Sequence, residues 1–352
     1  MFREDWQEVL QRNVDFALDP AKKGTLLHIE SIDDLELPPV RPLEQWDLLN
    51  QWPEYLEACI QREKAAWEQR RGLEDDTLPV IKPYFGIAEH TAFVGGRVEY
   101  GGNTSYHVPV VEDLEDLSGL SLREENENFR MLLGALRYVK KRAAEEGFLP
   151  MLRGAEAPLD MANAIRGNEI LMDFYDDPDG IHRLMEFCLK ACRWTLEHQL
   201  EIVGGVQGGI ISGIGIWMPG RSVGHLAEDL SSMCSPEIYR TFGLPYTQRL
   251  LEGYDCAVMH THTMGRHVLP DIAGIEKIRF IQLGYDPNQP TPIEVYREYE
   301  SILRDKIVIP TMSADQIEEN LDFLAEHKSI VSVYAKDRKE AEKAAALVKT
   351  LR

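Results

Sequence analysis

Two histidines with one residue between them close a short apolar run, Ala257-Val258-Met259-His260-Thr261-His262. On an extended strand, side chains two apart share a face, so His260 and His262 point the same way. Paired imidazoles are a common start for a zinc site or a related divalent site. A catalytic site of that kind wants a third protein ligand and one open position. The alternative for such a pair is one histidine packed in the core and the other bonded to a neighbouring loop.

The pair has to be held by its strand, and that strand is one of eight expected segments, near residues 25–30, 79–84, 148–153, 209–214, 257–261, 278–283, 306–311 and 329–334. Helical patterns fall between them, at about 43–71, 113–146, 160–175, 177–202, 292–304, 314–326 and 338–351. Strands alternating with helices imply parallel pairing through right-handed crossovers. Eight such units in 352 residues predict one α/β domain over 1–352, a (β/α)8 TIM barrel, with residues 1–23 as an N-terminal helical extension. Chemistry in a barrel sits at the carboxyl ends of its strands, which is where His260 and His262 fall. The glycine-rich stretch from Gly95 to Asn103 lacks the GxGxxG spacing and a following helix, so it reads as a turn rather than a phosphate loop.

Charge and cysteine usage narrow the partners. A formal net charge of -21 argues against nucleic acid and anionic membrane surfaces, because both need clustered Lys and Arg. A small-molecule substrate held in a local pocket remains compatible with that charge. Five cysteines with no CxxC pair, no leader-like segment and no long apolar run fit a reducing cytoplasm. Cys188 and Cys192 share a helix face and are expected to be buried free thiols.

Several polar and aromatic residues fall at the expected mouth. Arg153 follows the third strand and can clamp a carboxylate or phosphate, or pair with Glu156 or Asp160. Lys82 and Glu30 are expected to face each other inside the barrel. Glu30, Lys82, Tyr84, Phe85, Trp217, Gln282 and Tyr285 are the candidate substrate-binding residues. His225 and His267 read as exposed helix or loop residues.

The segment Ala92-Phe93-Val94-Gly95-Gly96-Arg97-Val98-Glu99-Tyr100, followed by Val108-Pro109-Val110-Val111-Glu112-Asp113-Leu114, resembles a glycine turn and acidic region of the uroporphyrinogen decarboxylase superfamily. So does Glu228-Asp229-Leu230 through Ser235-Pro236-Glu237-Ile238-Tyr239-Arg240-Thr241-Phe242-Gly243-Leu244-Pro245-Tyr246. The resemblance runs from about residue 78 to 325 and also takes in zinc-dependent methylcobalamin:coenzyme M methyltransferases. It implies a barrel, an enzyme, and a homodimer. Decarboxylases of the family carry an arginine-rich segment near the start, which is missing from residues 1–72. Gly86 stands where they have an aspartate. The methyltransferases resemble a His-x-Cys pair plus a distant cysteine. Here His262 occupies the first cysteine position, and Val333-Tyr334-Ala335-Lys336 has no cysteine.

The resemblance therefore implies a divalent metal, zinc before iron, on His260 and His262, with Glu156 or Asp286 as third ligand. His260, His262, Arg153 and Asp286 are the candidate catalytic residues. Three functions follow: metal-dependent methyl transfer from a corrinoid carrier protein or a small methyl donor, cofactor-free decarboxylation of a porphyrinogen-like or aromatic polycarboxylate, and a non-catalytic barrel that binds a corrinoid or tetrapyrrole.

Overall fold

A computed structural model describes residues 2–352. Its strands are β1 (Gly24–Ile32), β2 (Val80–Ile81), β3 (Arg97–Gly101), β4 (Thr104–Val108), β5 (Leu149–Pro150), β6 (Ala155–Glu156), β7 (Gly209–Ile211), β8 (Trp217–Pro219), β9 (Val223–Ala227), β10 (Ala257–His262), β11 (Ile278–Gly284), β12 (Ile307–Pro310) and β13 (Lys328–Ala335). Seven of them form one sheet in the order β1-β13-β12-β11-β10-β9-β6, and its paired neighbours run parallel. A separate parallel pair joins β2 to β5. Of the segment expected at 148–153 only β5 is strand, and β6 follows just beyond its end, while Pro79 and Pro83 confine β2 to two residues by removing backbone donors.

One expected strand is placed differently. Residues 209–211 pair antiparallel with 217–219 as a hairpin, and β9 takes the sheet position beside β10. Ile210 and Ile211 are buried and strand-like in either arrangement, so the apolar run could not reveal its direction. Strand β9 reads Val-Gly-His-Leu-Ala, which hides it among glycine and histidine. The glycine-rich stretch near residue 100 is also more than a turn: β3 and β4 form a hairpin with Gly101 and Gly102 at its tip. The helix expected over 113–146 starts only at Glu127, where the Asn126 side chain accepts the Phe129 N–H.

The helix Trp6–Leu18 is part of the body rather than an appendage, since Val9, Leu10 and Phe16 lie in the main core and Asn13 donates to the Asp76 carbonyl at 3.0 Å. Among the described residues no helix is long and apolar enough to cross a membrane. All five cysteines are free, and Cys188 and Cys192 are fully buried.

Between β1 and the chain leading into β2, side chains replace most of a strand ladder. The Asp76 N–H donates to the Leu27 carbonyl at 2.8 Å. In return the Leu27 N–H donates to Asp76 Oδ2 at 3.0 Å, the Ile29 N–H to Thr77 Oγ1 at 2.9 Å, and Arg70 to the Ile29 carbonyl at 3.0 Å. Buried Asp75 pairs with Arg3 at 2.5 Å and Arg70 at 2.8 Å. Asp76 pairs with Arg12 and Arg352, both at 3.0 Å, so the two chain termini are tied to this seam. Burial pushes the Asp75 carboxyl up, but Arg70 and Arg3 outweigh it and hold the group below its ordinary range.

Removing one partner of such a buried pair strands the other charge. Asp75→Ala should cost about 3–5 kcal/mol in urea unfolding at neutral pH. Because the folded carboxyl is depressed, the wild-type advantage should be present at neutral pH and shrink as pH falls through the carboxylate range.

Candidate active site

Strand β10 alternates as its sequence predicts: Met259 and Thr261 are buried, and His260 and His262 face the carboxyl-end opening. Its parallel register with β11 sets His260 beside Gln282 and His262 beside Gly284. His260 Nδ1 lies 2.9 Å from Gln282 Oε1, and His262 Nδ1 lies 2.8 Å from Asp286 Oδ1. A carboxylate only accepts, so His262 Nδ1 donates and its Nε2 keeps a lone pair. The amide oxygen of Gln282 assigns His260 in the same way. The two Nε2 atoms stand 3.1 Å apart. Gly284 leaves room for them, since a Cβ there would lie 3.2 Å from the His260 ring and 3.3 Å from the His262 ring.

The third group of the cluster is Asp229. Its Oδ1 lies 3.9 Å from His260 Nε2 and 3.7 Å from His262 Nε2, and the three ligand atoms fall within 4.8 Å of one another. Asp229 opens a single 3-10 turn, Asp229–Met233, whose first N–H groups are held by Asp160: Asp229 N donates to Oδ2 at 2.7 Å and Leu230 N to Oδ1 at 2.8 Å. The preceding Glu228 is fully buried and accepts from the Tyr239 hydroxyl at 2.6 Å and from Thr247 at 2.8 Å. Burial pushes the Glu228 carboxyl up to about 7. Ser235 caps the next helix by accepting the Ile238 N–H, which directs Tyr239 back to Glu228. The residues from Glu228 to Thr247 thus form one device that positions Asp229.

Beside the histidines a cavity of about 310 Å³ is lined in part by His28, Glu30, Lys82, Gln282 and Tyr334. Lys82 donates to the Gly213 carbonyl at 2.9 Å. Burial, aided by the Arg153 charge, lowers its amine to about 7. Burial also lowers His260, against the pull of Asp229, which favours the neutral imidazole that a metal ligand must be.

The sequence-predicted residues divide in this arrangement. Gln282, Lys82 and Glu30 line the cavity, and Glu30 accepts from Ser332 at 2.7 Å rather than pairing with Lys82. Tyr84 is half-buried, with its ring 5.7 Å from the Lys82 amine. Asp286 lies behind His262, on Nδ1, and is not a third ligand. Glu156 is not one either: it sits on another wall, between His90 and His107. Arg153 pairs with Glu89 and donates to the Gly86 carbonyl at 2.7 Å, so its guanidinium is committed to protein partners. Phe85 is fully buried in the second core against Tyr55. Trp217 is buried in the β7–β8 hairpin, where its Nε1 donates to the Val206 carbonyl at 2.9 Å. Tyr285 is 51% exposed and borders a separate groove with Tyr334.

His225 lies on β9 with its ring 5.8 Å from that of His260, not on an exposed loop. Asp229 is a site residue that strand and helix periodicity do not single out; its sequence signal is a carboxylate pair, Glu228-Asp229, ahead of a capped helix.

The chain matches the family model described as uroporphyrinogen decarboxylase (URO-D) over residues 53–303, a span that contains Asp229, His260 and His262. A search of curated proteins finds no match.

The Lys82 amine titrates near 7 in the folded chain against about 10.5 ordinarily, so between those values the unfolded chain binds more protons. Stability measured by urea unfolding should therefore rise with pH across that window. Lys82→Met should flatten the rise, with its largest stabilising effect at the acid end.

Proposed function

The chain belongs to the uroporphyrinogen decarboxylase family, and from that membership we propose a metal-dependent enzyme of methyl-transfer type, using a corrinoid carrier or a small methyl donor. The observation that carries this reading is the convergence of His260 Nε2, His262 Nε2 and Asp229 Oδ1, with both Nδ1 atoms held from behind. Two neutral imidazoles and one carboxylate suit zinc, and leave a coordination position open to substrate. Hydrogen bonds to the far ring nitrogens fix tautomer and orientation, which is what ligating histidines require. A divalent ion bound there would stabilise a thiolate or a hydroxide as nucleophile at neutral pH.

The protein groups then have distinct roles. His260, His262 and Asp229 hold the centre. Gln282 and Asp286 orient the rings. Lys82, with an amine near 7, can take up or return a proton in the adjoining cavity. Tyr285, Tyr334 and Met264 are exposed on segments at the carboxyl ends of β11, β13 and β10, an apolar rim suited to a large donor. The fold reading that accompanies this function is a closed eight-stranded barrel. In it β5 and β6 count as one interrupted strand, and the Asp76–Leu27 seam closes β1 against β2.

Decarboxylation of a porphyrinogen is supported less well. Gly86 replaces the family's aspartate and has φ +97°, and a Cβ there would lie 2.0 Å from Ser105 Oγ. The backbone around it is built for glycine. Arg153, the cation best placed to grip a substrate carboxylate, is already paired with Glu89.

Zinc bound by the purified chain should fall by one equivalent in the double variant His260→Ala/His262→Ala, with its far-ultraviolet circular dichroism unchanged. In an anaerobic assay with methylcobalamin and a thiol acceptor, wild type should demethylate the cobalamin and the double variant should not. Uroporphyrinogen should be returned unchanged, and formation of coproporphyrinogen would refute this part of the reading.

A further inference from the structure

Glu156 ends β6 on a wall of the mouth that the His260 cluster does not use. Its Oε1 lies 3.4 Å from His90 Nδ1 and 3.5 Å from His107 Nε2. His90 comes from the short helix Glu89–Ala92 and His107 from the β3–β4 hairpin. His90 is 3% exposed and Glu156 8%, and neither His90 Nδ1 nor Glu156 Oε2 has a hydrogen-bond partner.

The far sides of the two rings decide what faces the carboxylate. His90 Nε2 is 3.3 Å from the Gly154 carbonyl, so in the neutral tautomer that donates there Nδ1 turns a lone pair toward Glu156. His107 Nδ1 is 3.4 Å from Thr91 Oγ1, whose own hydrogen goes to the Ala88 carbonyl at 3.1 Å. In the tautomer whose N–H donates to Thr91 from Nδ1, His107 Nε2 turns a lone pair toward Glu156. In those tautomers two ring nitrogens converge on Glu156 Oε1, and Oε2 of the same carboxylate is buried with no partner. A single added proton answers one of those contacts, whereas a divalent cation answers all of them. The Arg153 charge nearby helps to hold Glu156 ionised, but its guanidinium bonds Glu89 and the Gly86 carbonyl and not Glu156.

We propose that His90, His107 and Glu156 form a second divalent-cation site, separate from the one at His260, His262 and Asp229. Binding draws the three groups in from their present spacing to ligand distances of about 2.0–2.2 Å. His107 has the freedom to close, since it rides on a two-stranded hairpin and its side chain is 28% exposed. The bound ion ties that hairpin to β6 and shapes one side of the mouth.

The test uses the full chain, stripped by chelator and titrated with Zn²⁺ alone by calorimetry, with bound metal counted after desalting. Wild type should bind two equivalents, His260→Ala/His262→Ala one, and the triple variant that adds His107→Ala none. His107→Ala alone should bind one, and Glu156→Gln, nearly isosteric, should match it. A single wild-type equivalent that vanishes with His260→Ala/His262→Ala overturns the second site. So does retention of both equivalents in His107→Ala and Glu156→Gln. The two sites are read by different variants, so either can fail while the other stands.

Discussion

The parallel register between β10 and β11 is the constraint on which the mouth depends. It sets Gln282 against His260 and a glycine against His262, so one ring is braced by its neighbour and the other has space to reach Asp286 beyond the strand end. A slip of one residue would turn both histidines into the core. The fully buried residues around them, Val258, Met259, Phe280 and Ile281, make such a slip costly, because each would exchange an apolar environment for solvent or for a polar neighbour.

Asp229 is positioned by a different means. Its turn carries no strand or long helix, and it is held instead by a chain of buried oxygens and their donors. Asp160 takes the turn's first two N–H groups, and Glu228 takes the hydroxyls of Tyr239 and Thr247. Burial, and after it the nearby Asp229 charge, raise Asp160 well above the ordinary carboxyl range.

How much of this was legible in the sequence follows from the range of each signal. A period of two placed His260 and His262 on one face, and strand ends placed Gln282, Asp286 and Lys82 at the mouth. Whether a carboxylate meets the near or the far nitrogen of an imidazole depends on loop geometry after the strand, so the sequence could set Asp286 near His262 without showing that it meets Nδ1. Glu156 follows its strand in the expected place but faces His90 and His107, both on short local elements with no long periodic signal. The Ile210–Ile211 run satisfied the pattern of a buried strand while pairing antiparallel, and β9 failed that pattern while holding the sheet position. Aromatic residues such as Phe85 and Trp217 went to the core, since a large apolar side chain beside a strand end serves packing as readily as a pocket.

X-ray absorption at the zinc edge of the zinc-loaded full chain, with the His107→Ala variant used to isolate the His260 centre, reads whether nitrogen and oxygen donors hold the metal. Nitrogen and oxygen scatterers at about 2.0–2.1 Å, with imidazole outer-shell scattering, are expected. That signal should disappear when His260→Ala/His262→Ala is added to the variant. A sulfur scatterer at about 2.3 Å, or an unchanged spectrum after both histidines are removed, would contradict it.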